Sequence, residues 1–161
     1  MDFSFFKDDD YVELQSWDGS TDHLRVTIRG LENTPYENGK FVFEIKFPSN
    51  YPYSPPFCYC HTKIWHPNID PSIFPDRPNI CLDLLNPDSI GKVDSRTGAS
   101  GWTPSKRIRN VIEALKGMIH MQPPFWNPNS AINTEAREIA LDNPDAFNEI
   151  AKDWTRKYAI L

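Results

Sequence analysis

Leu24-Arg25-Val26-Thr27-Ile28-Arg29 and Phe41-Val42-Phe43-Glu44-Ile45-Lys46-Phe47 decide the fold of this 161-residue chain. In the first stretch Leu24, Val26 and Ile28 alternate with Arg25, Thr27 and Arg29, the period-two pattern of a half-buried strand. The second puts Phe41, Phe43, Ile45 and Phe47 on one face. Pro35 to Gly39 can turn the chain between the two. A third, shorter strand is predicted over Phe57 to Thr62, with Cys58 and Cys60 on the same side. Sequential strands joined by short links predict an antiparallel meander. Working outward, the ten residues that end in Lys7-Asp8-Asp9-Asp10 carry no clear helical period and are expected to form an irregular lead-in.

On the other side the period changes. Residues 48–101 read mostly as loop, interrupted by the apolar run Ile80-Cys81-Leu82. Ile108, Val111, Ile112, Leu115, Met118 and Ile119 then recur at helical spacing, with Lys106, Arg107, Arg109 and Lys116 on the opposite face. Pro104 and Ser105 sit where a helix likes to start. A second helix is expected near Thr134–Leu141. A third begins at Asn143-Pro144, a favoured cap followed by a proline in the first turn, and should bury Phe147, Ile150, Ala151, Trp154 and Tyr158. Strands first and helices after them predict an α+β fold, with one domain over 1–161.

Bulk properties narrow the function classes. A net charge of -5 argues against nucleic acid as a bulk partner, because phosphate binding wants a basic face. No apolar run has the length of a membrane span and no signal peptide is evident, so no membrane partner is expected. Three cysteines cannot all pair within one chain, which points to a reducing compartment, the cytoplasm or also the nucleus. Cys58 and Cys60 read as packing residues. As alternating strand residues they point into the core together, so Cys58-Tyr59-Cys60-His61 is not a metal site, and no metal is expected. Prolines, 15 in all, cluster in 48–56, 67–87 and 123–128 and stiffen long surface loops.

The chemistry concentrates in His66-Pro67-Asn68 and Ile80-Cys81-Leu82-Asp83. As bare residue types these allow a nucleophilic thiol or a structural loop, and histidine commonly pins a backbone. In wider context the chain resembles the ubiquitin-conjugating enzyme family from about Tyr11 to its C-terminus. The resemblance rests on Gly30, on Pro35-Tyr36-Glu37-Asn38-Gly39-Lys40-Phe41 and on Phe47-Pro48. It continues with Tyr51-Pro52-Tyr53-Ser54-Pro55-Pro56, His66-Pro67-Asn68, Ile80-Cys81-Leu82-Asp83 and Gly101-Trp102-Thr103-Pro104, in that order. The final helix, with Trp154 and Tyr158, fits as well.

That resemblance implies a four-stranded antiparallel sheet packed with helices, and a cysteine in a shallow groove. It implies that Cys81 accepts ubiquitin or a ubiquitin-like protein from an activating enzyme as a thioester. The modifier then passes to a lysine of a protein substrate, usually with a ubiquitin ligase. No cofactor is needed at this step, because the thioester already stores the energy. Asn68 matches the family's motif asparagine, able to steady an oxyanion or simply to hold its loop. Asp83 and Asn127 match residues that flank the cysteine and would position the incoming amine. His66 and Pro67 are read as structural. Pro52 and Tyr53, together with Thr103, Pro104 and Ser105, match the two loops that dock a ligase.

The chain departs from the family pattern at three places. The family's long opening amphipathic helix has no counterpart in the acidic lead-in, so the first helix is expected to be missing. Cys81 stands 13 positions after Asn68, more than the common spacing, with the extra residues in Pro71–Pro78. Trp102 stands 21 positions after Cys81, as in the subgroup with an insertion after the cysteine. Here Asp88 and Asp94 are offset by Lys92 and Arg96, so the insertion lacks that subgroup's acidic character. A non-catalytic relative that binds ubiquitin or a partner is the rival reading. Such variants usually lack the nucleophile that Cys81 supplies here.

Overall fold

A computed structural model describes residues 4–96 and 98–160. Four strands form one antiparallel sheet in the order β1-β2-β3-β4: β1 (Val12–Ser16), β2 (His23–Arg29), β3 (Lys40–Lys46) and β4 (Phe57–Cys60). The register sets Val12 opposite Ile28, Val26 opposite Phe43, and Ile45 opposite Cys58. One face therefore carries Leu24, Val26, Ile28, Phe41, Phe43, Ile45, Cys58 and Cys60, all buried. The meander expected from the alternation is present. The third strand stops at Cys60 rather than Thr62, with His61 N–H still donating to the Val42 carbonyl.

Reading the residues alone locates three of these strands, and β1 is the fourth. It is an edge strand bonded on one side only, and of its five residues only Val12 is buried. Its signal is correspondingly short. Before it lies a single 3-10 turn, Ser4–Phe6, and no α-helix precedes β1 among the described residues. The irregular lead-in is thus seen from Ser4 onward, residues 1–3 lying outside the description. Phe6 is buried, the Phe5 ring lies under the Arg109 guanidinium at 4.5 Å, and Asp9 pairs with Lys116 at 2.7 Å. These contacts dock the lead-in on the first α-helix.

That helix, α1 (Ile108–Ile119), packs its apolar stripe on the sheet. Ile108, Val111, Ile112, Leu115, Met118 and Ile119 are all buried, as their spacing predicts. It begins later than Pro104-Ser105 would place it. Thr103–Lys106 closes a separate turn, and Asn110 Oδ1 accepts from the Arg107 N–H at the true helix start. Helices α2 (Thr134–Asp142) and α3 (Pro144–Tyr158) follow, with Asn133 and Asn143 as their side-chain caps. In α3, Phe147 and Ala151 are buried and Ile150 and Trp154 half-buried, but Tyr158 is exposed. Tyr158 lies in the last turn, off the stripe of Phe147, Ala151, Thr155 and Ala159 that faces the core. Its ring meets Trp154 edge-on, with Lys63 above it.

Gly30 shows how tightly the loops wrap this core. A Cβ there would sit 1.7 Å from the Tyr36 carbonyl oxygen, so only glycine allows the approach. The Tyr36 hydroxyl in turn donates to the Trp65 carbonyl at 2.6 Å, next to His66. No helix among the described residues is long and apolar enough to cross a membrane.

Candidate active site

Cys81 is held by a short ladder rather than by a regular element. Its N–H donates to the Asn68 carbonyl at 2.8 Å, and Asp70 N–H donates to the Asn79 carbonyl at 3.0 Å. Ile69 and Ile80 face each other between these bonds. Segments 68–70 and 79–81 therefore run antiparallel, and the extra residues 71–78 form the loop that joins them. Lengthening such a loop leaves the ladder in register, so Cys81 keeps its place opposite Asn68 despite the unusual spacing. Asn79 ties the ladder to β4. Its side-chain Oδ1 accepts from Cys60 N–H at 2.8 Å, and its Nδ2 donates to the Cys60 carbonyl at 3.0 Å. Sequence reasoning passed over Asn79, whose only signal was a polar residue at the edge of an apolar run.

The His66-Pro67-Asn68 motif forms the floor. His66 is fully buried, donates from Nε2 to the Met118 carbonyl at 3.0 Å and accepts the Asn68 N–H at Nδ1, also 3.0 Å. Those partners fix the neutral Nε2–H tautomer, and burial pushes its pKa down to about 4. The Pro67 carbonyl accepts the N–H groups of Ile132 and Asn133, both at 3.0 Å. Both residues hold the loop that carries Asn127 against the motif.

Asn68 completes the same junction. Its side chain is 1% exposed, with Oδ1 accepting from Asn127 N–H at 2.9 Å and Nδ2 donating to the Asn127 carbonyl at 2.8 Å. The second Nδ2 hydrogen reaches the Ser130 carbonyl at a longer 3.4 Å. All of its amide capacity is committed to the 127–130 loop. Asn127 uses its own amide locally, accepting from Asn129 N–H and donating to Ser130 Oγ at 3.3 Å. Gly117 lets this loop reach α1, since a Cβ there would strike the Phe125 ring at 2.4 Å.

These segments enclose a groove of about 270 Å³ that brings together Cys81, Asn68, Asp83 and Asn127. Its far wall is Lys106, from the turn before α1, with Asn110 and Glu113 of α1. The insertion after the cysteine supplies the rest. Segments 91–96 and 98–102 pair as the arms of a hairpin, with Val93 bridged to Ser100 and Gly101 N–H bonded to the Lys92 carbonyl at 2.8 Å. One arm of that hairpin, Gly98 to Ser100, lines the groove, which sequence reasoning did not anticipate. Near its tip Asp94 pairs with Arg96 at 3.3 Å.

Cys81 is half-buried in this groove, whereas Cys58 and Cys60 are sealed in the core. Burial pushes the Cys81 thiol above its ordinary range, and the Asp83 carboxylate adds to the shift by repelling a thiolate. Asp83 is itself raised, first by burial and then by the Asp94 charge, with Arg96 opposing. Burial alone drives the Cys58 thiol far up, and Cys60 is pushed up to about 12, so neither offers a thiolate near neutral pH. Among the described residues no cluster of His, Cys, Asp or Glu could hold a metal ion.

The two loops expected to dock a ligase also meet. Trp102, fully buried, donates from its indole N–H to the Pro52 carbonyl at 2.6 Å. This bond sets the Tyr51–Tyr53 turn beside the Thr103-Pro104-Ser105 turn, in which the Thr103 and Ser105 hydroxyls share a 2.8 Å hydrogen bond. Tyr53 projects from the pair, 70% exposed.

Comparisons with known proteins agree with this geometry. The family model described as ubiquitin-conjugating enzyme matches residues 7–155. The ubiquitin conjugating enzyme E2 domain of Toxoplasma gondii superposes with a TM-score of 0.70 at 31% identity, covering 92% of this chain and 88% of that one. A candidate ubiquitin conjugating enzyme from Plasmodium yoelii gives 0.72 at 28% identity, covering 94% and 84% respectively. With its four-stranded meander, the three α-helices among the described residues and a loop-borne cysteine, the chain has the ubiquitin-conjugating fold and belongs to the ubiquitin-conjugating enzyme family.

Proposed function

We propose that the chain is a working conjugating enzyme, carrying ubiquitin or a related modifier as a thioester on Cys81 and passing it to a lysine. The observation that carries this is Cys81 itself, the one half-exposed cysteine of the three, in a groove that fits an extended peptide tail. An extended tail presents backbone N–H and C=O groups that need partners when buried. Ser100, Asn110, Asn127 and Ser130 line the groove and can offer them.

Charging is a thiol exchange. The Cys81 thiolate attacks the carbonyl of the modifier's terminal residue, the activating enzyme's sulfur leaves, and the proton shed by Cys81 balances the departing thiolate. Discharge is harder, since a lysine with a pKa of about 10.4 must first lose its proton. Asp83 beside the sulfur favours approach of the ammonium and offers a route for its proton. The C–N bond then forms, the C–S bond breaks, and Cys81 leaves as a thiolate. Asn127 shapes the amine's path by setting the wall of the groove.

Asn68 acts in this reading first as a positioning residue, locking the 127–130 loop to the backbone that holds Cys81. Its long bond to Ser130 is the one it can exchange for a developing oxyanion, a donor typically worth about 3–4 kcal/mol. Tyr53 and the Thr103–Ser105 turn form the ligase-docking patch, with an exposed aromatic as anchor. Incubation with ubiquitin, an activating enzyme and ATP tests the proposal on a gel. An adduct that reductant removes and Cys81→Ala abolishes supports it. No adduct with a competent charging system would leave a binding scaffold.

A further inference from the structure

The outer face of the sheet carries a polar cluster that the Cys81 site does not use. Glu44 of β3 is buried there, with an imidazole on each carboxylate oxygen. His23 of β2 bonds to Oε2, and His61, just past β4, bonds to Oε1 at 2.8 Å. Burial works to raise the Glu44 carboxyl, but the bonds from His61 and His23 outweigh it and hold the group below its ordinary range. An ionised carboxylate only accepts, so each ring presents an Nε2–H to it. Trp17, just past β1, packs on both rings, with centroids 5.5 Å from His23 and 4.8 Å from His61. Phe74 of the 71–78 loop also packs on His61, at 4.5 Å, and meets Tyr59 at 6.1 Å.

The surroundings favour proton uptake by both rings. His23 Nδ1 lies 3.6 Å from Asp18 Oδ2. In the neutral ring that nitrogen holds a lone pair which the carboxylate repels, whereas the imidazolium offers it an N–H. Asp18 also orders its own turn, since Oδ1 accepts from the Ser20 N–H at 3.2 Å and hydroxyl at 2.6 Å. His61 as a cation is attracted to the Trp17 and Phe74 rings as well as to Glu44. Lys46, 3.6 Å from Glu44, and Arg25, 5.1 Å over Trp17, oppose the added charge. Both are solvent-exposed, so water and salt screen that repulsion.

We propose that Glu44, His23 and His61 form a proton-operated clasp, which on mild acidification grips Phe74 and fixes the 71–78 loop beside the ladder that carries Cys81. The loop joins the two segments of that ladder. His61 directly follows Cys60, whose N–H and carbonyl hold the Asn79 side chain two residues before Cys81. The clasp thus ties the turn after β1, the sheet and the loop at one carboxylate. Without the Glu44 charge the two imidazolium rings would face each other uncompensated, so the same proton uptake would loosen the cluster. The clasp belongs to the protein without a bound modifier and stands independently of the transfer reading above.

Amide hydrogen exchange tests this on the modifier-free protein, between about pH 8 and about pH 6, where imidazoles take up protons. The Ile73 and Asp76 N–H groups close turns inside the loop, to the Asp70 and Ile73 carbonyls at 3.3 and 3.1 Å, and report its order. After correction for the intrinsic rate at each pH, both should exchange roughly two- to fivefold more slowly at the lower pH. That is the scale of one solvent-exposed cation–aromatic contact. Trp17 emission, taken as wild type minus Trp17→Phe, should fall over the same range, because a stacked imidazolium quenches indole. Glu44→Gln keeps the shape without the charge and should lose or reverse the slowing. His61→Gln should abolish it as well, and serves alone if Glu44→Gln does not fold. Wild-type exchange that is unchanged or faster at the lower pH would overturn the clasp, as would slowing that persists in the variants. Trp17 quenching with no slowing of the loop would show protonation without a grip, and likewise overturn it.

Discussion

Acidification should unfold this protein through His66. The imidazole is buried without solvent contact, and its neutral form is fixed by a donor bond to the Met118 carbonyl and an acceptor bond from Asn68 N–H. Burial holds its pKa at about 4, against about 6.5 in an unfolded chain. Between those values the unfolded chain binds a proton that the folded one refuses, so stability is full above about pH 6.5 and lost as pH falls towards 4. A depression of about 2.5 units corresponds to roughly 3 kcal/mol in full, and about 2 kcal/mol of it is gone by pH 5. That is a large share of a typical 5–15 kcal/mol. Protonation would also place a donor at Nδ1 against the Asn68 N–H, loosening the floor under Cys81. Urea denaturation from pH 7 to pH 4.5 measures the loss, with His66→Gln as the control. Glutamine can keep one donor and one acceptor but takes up no proton, so the variant should start less stable and fall less steeply. His120 is also held low by burial and contributes in the same direction to both proteins, so the difference between the curves isolates His66. Parallel curves for the two would refute the reasoning.

Asn68→Ala removes three bonds to the 127–130 loop and should cost about 1–3 kcal/mol of stability. It should slow lysine discharge far more than charging; equal losses in the two steps would leave it a purely structural role. Asp83→Asn should split the two half-reactions. Without the carboxylate the Cys81 thiol falls towards its ordinary range and charging near neutral pH quickens, while discharge to lysine slows, as rapid-quench rates of each step would report. Trp102→Phe frees the Pro52 carbonyl and separates the two docking turns, so ligase-stimulated discharge should drop with a stability loss of about 1 kcal/mol in thermal melts. Tyr53→Ala should lower ligase stimulation without that loss of stability.

Much of this could be read in the chain because apolar periodicity reports burial. Leu24, Val26 and Ile28, and the α1 stripe from Ile108 to Ile119, are core residues in regular elements, and the pattern located them. β1 escaped because its alternation is carried by only two apolar residues, Val12 and Leu14, on an edge strand, and Tyr158 misled because it lies off the buried stripe of Phe147, Ala151, Thr155 and Ala159. At the site, the neighbours of Cys81 in sequence single it out as the candidate nucleophile. Its setting was not legible there, since the wall is built by residues near 98–100, 106–113 and 124–130, whose arrival depends on tertiary packing. The full commitment of the Asn68 amide is of the same kind. Its partners lie about sixty positions away, on a loop brought back by α1 and by the Pro67 carbonyl. The 71–78 loop read as a disturbance of the motif, yet the ladder from Asn68 to Cys81 absorbs it.

Where the acyl group sits is the most direct question to ask of this molecule. Intact mass spectrometry of the charged protein, followed by peptide mapping under non-reducing, mildly acidic conditions, would locate the modifier's tail. One modifier per chain, joined to the peptide that contains Cys81 and released by thiol, is the predicted outcome. A tail found on Cys58 or Cys60, or on a lysine with Cys81 free throughout, would contradict it.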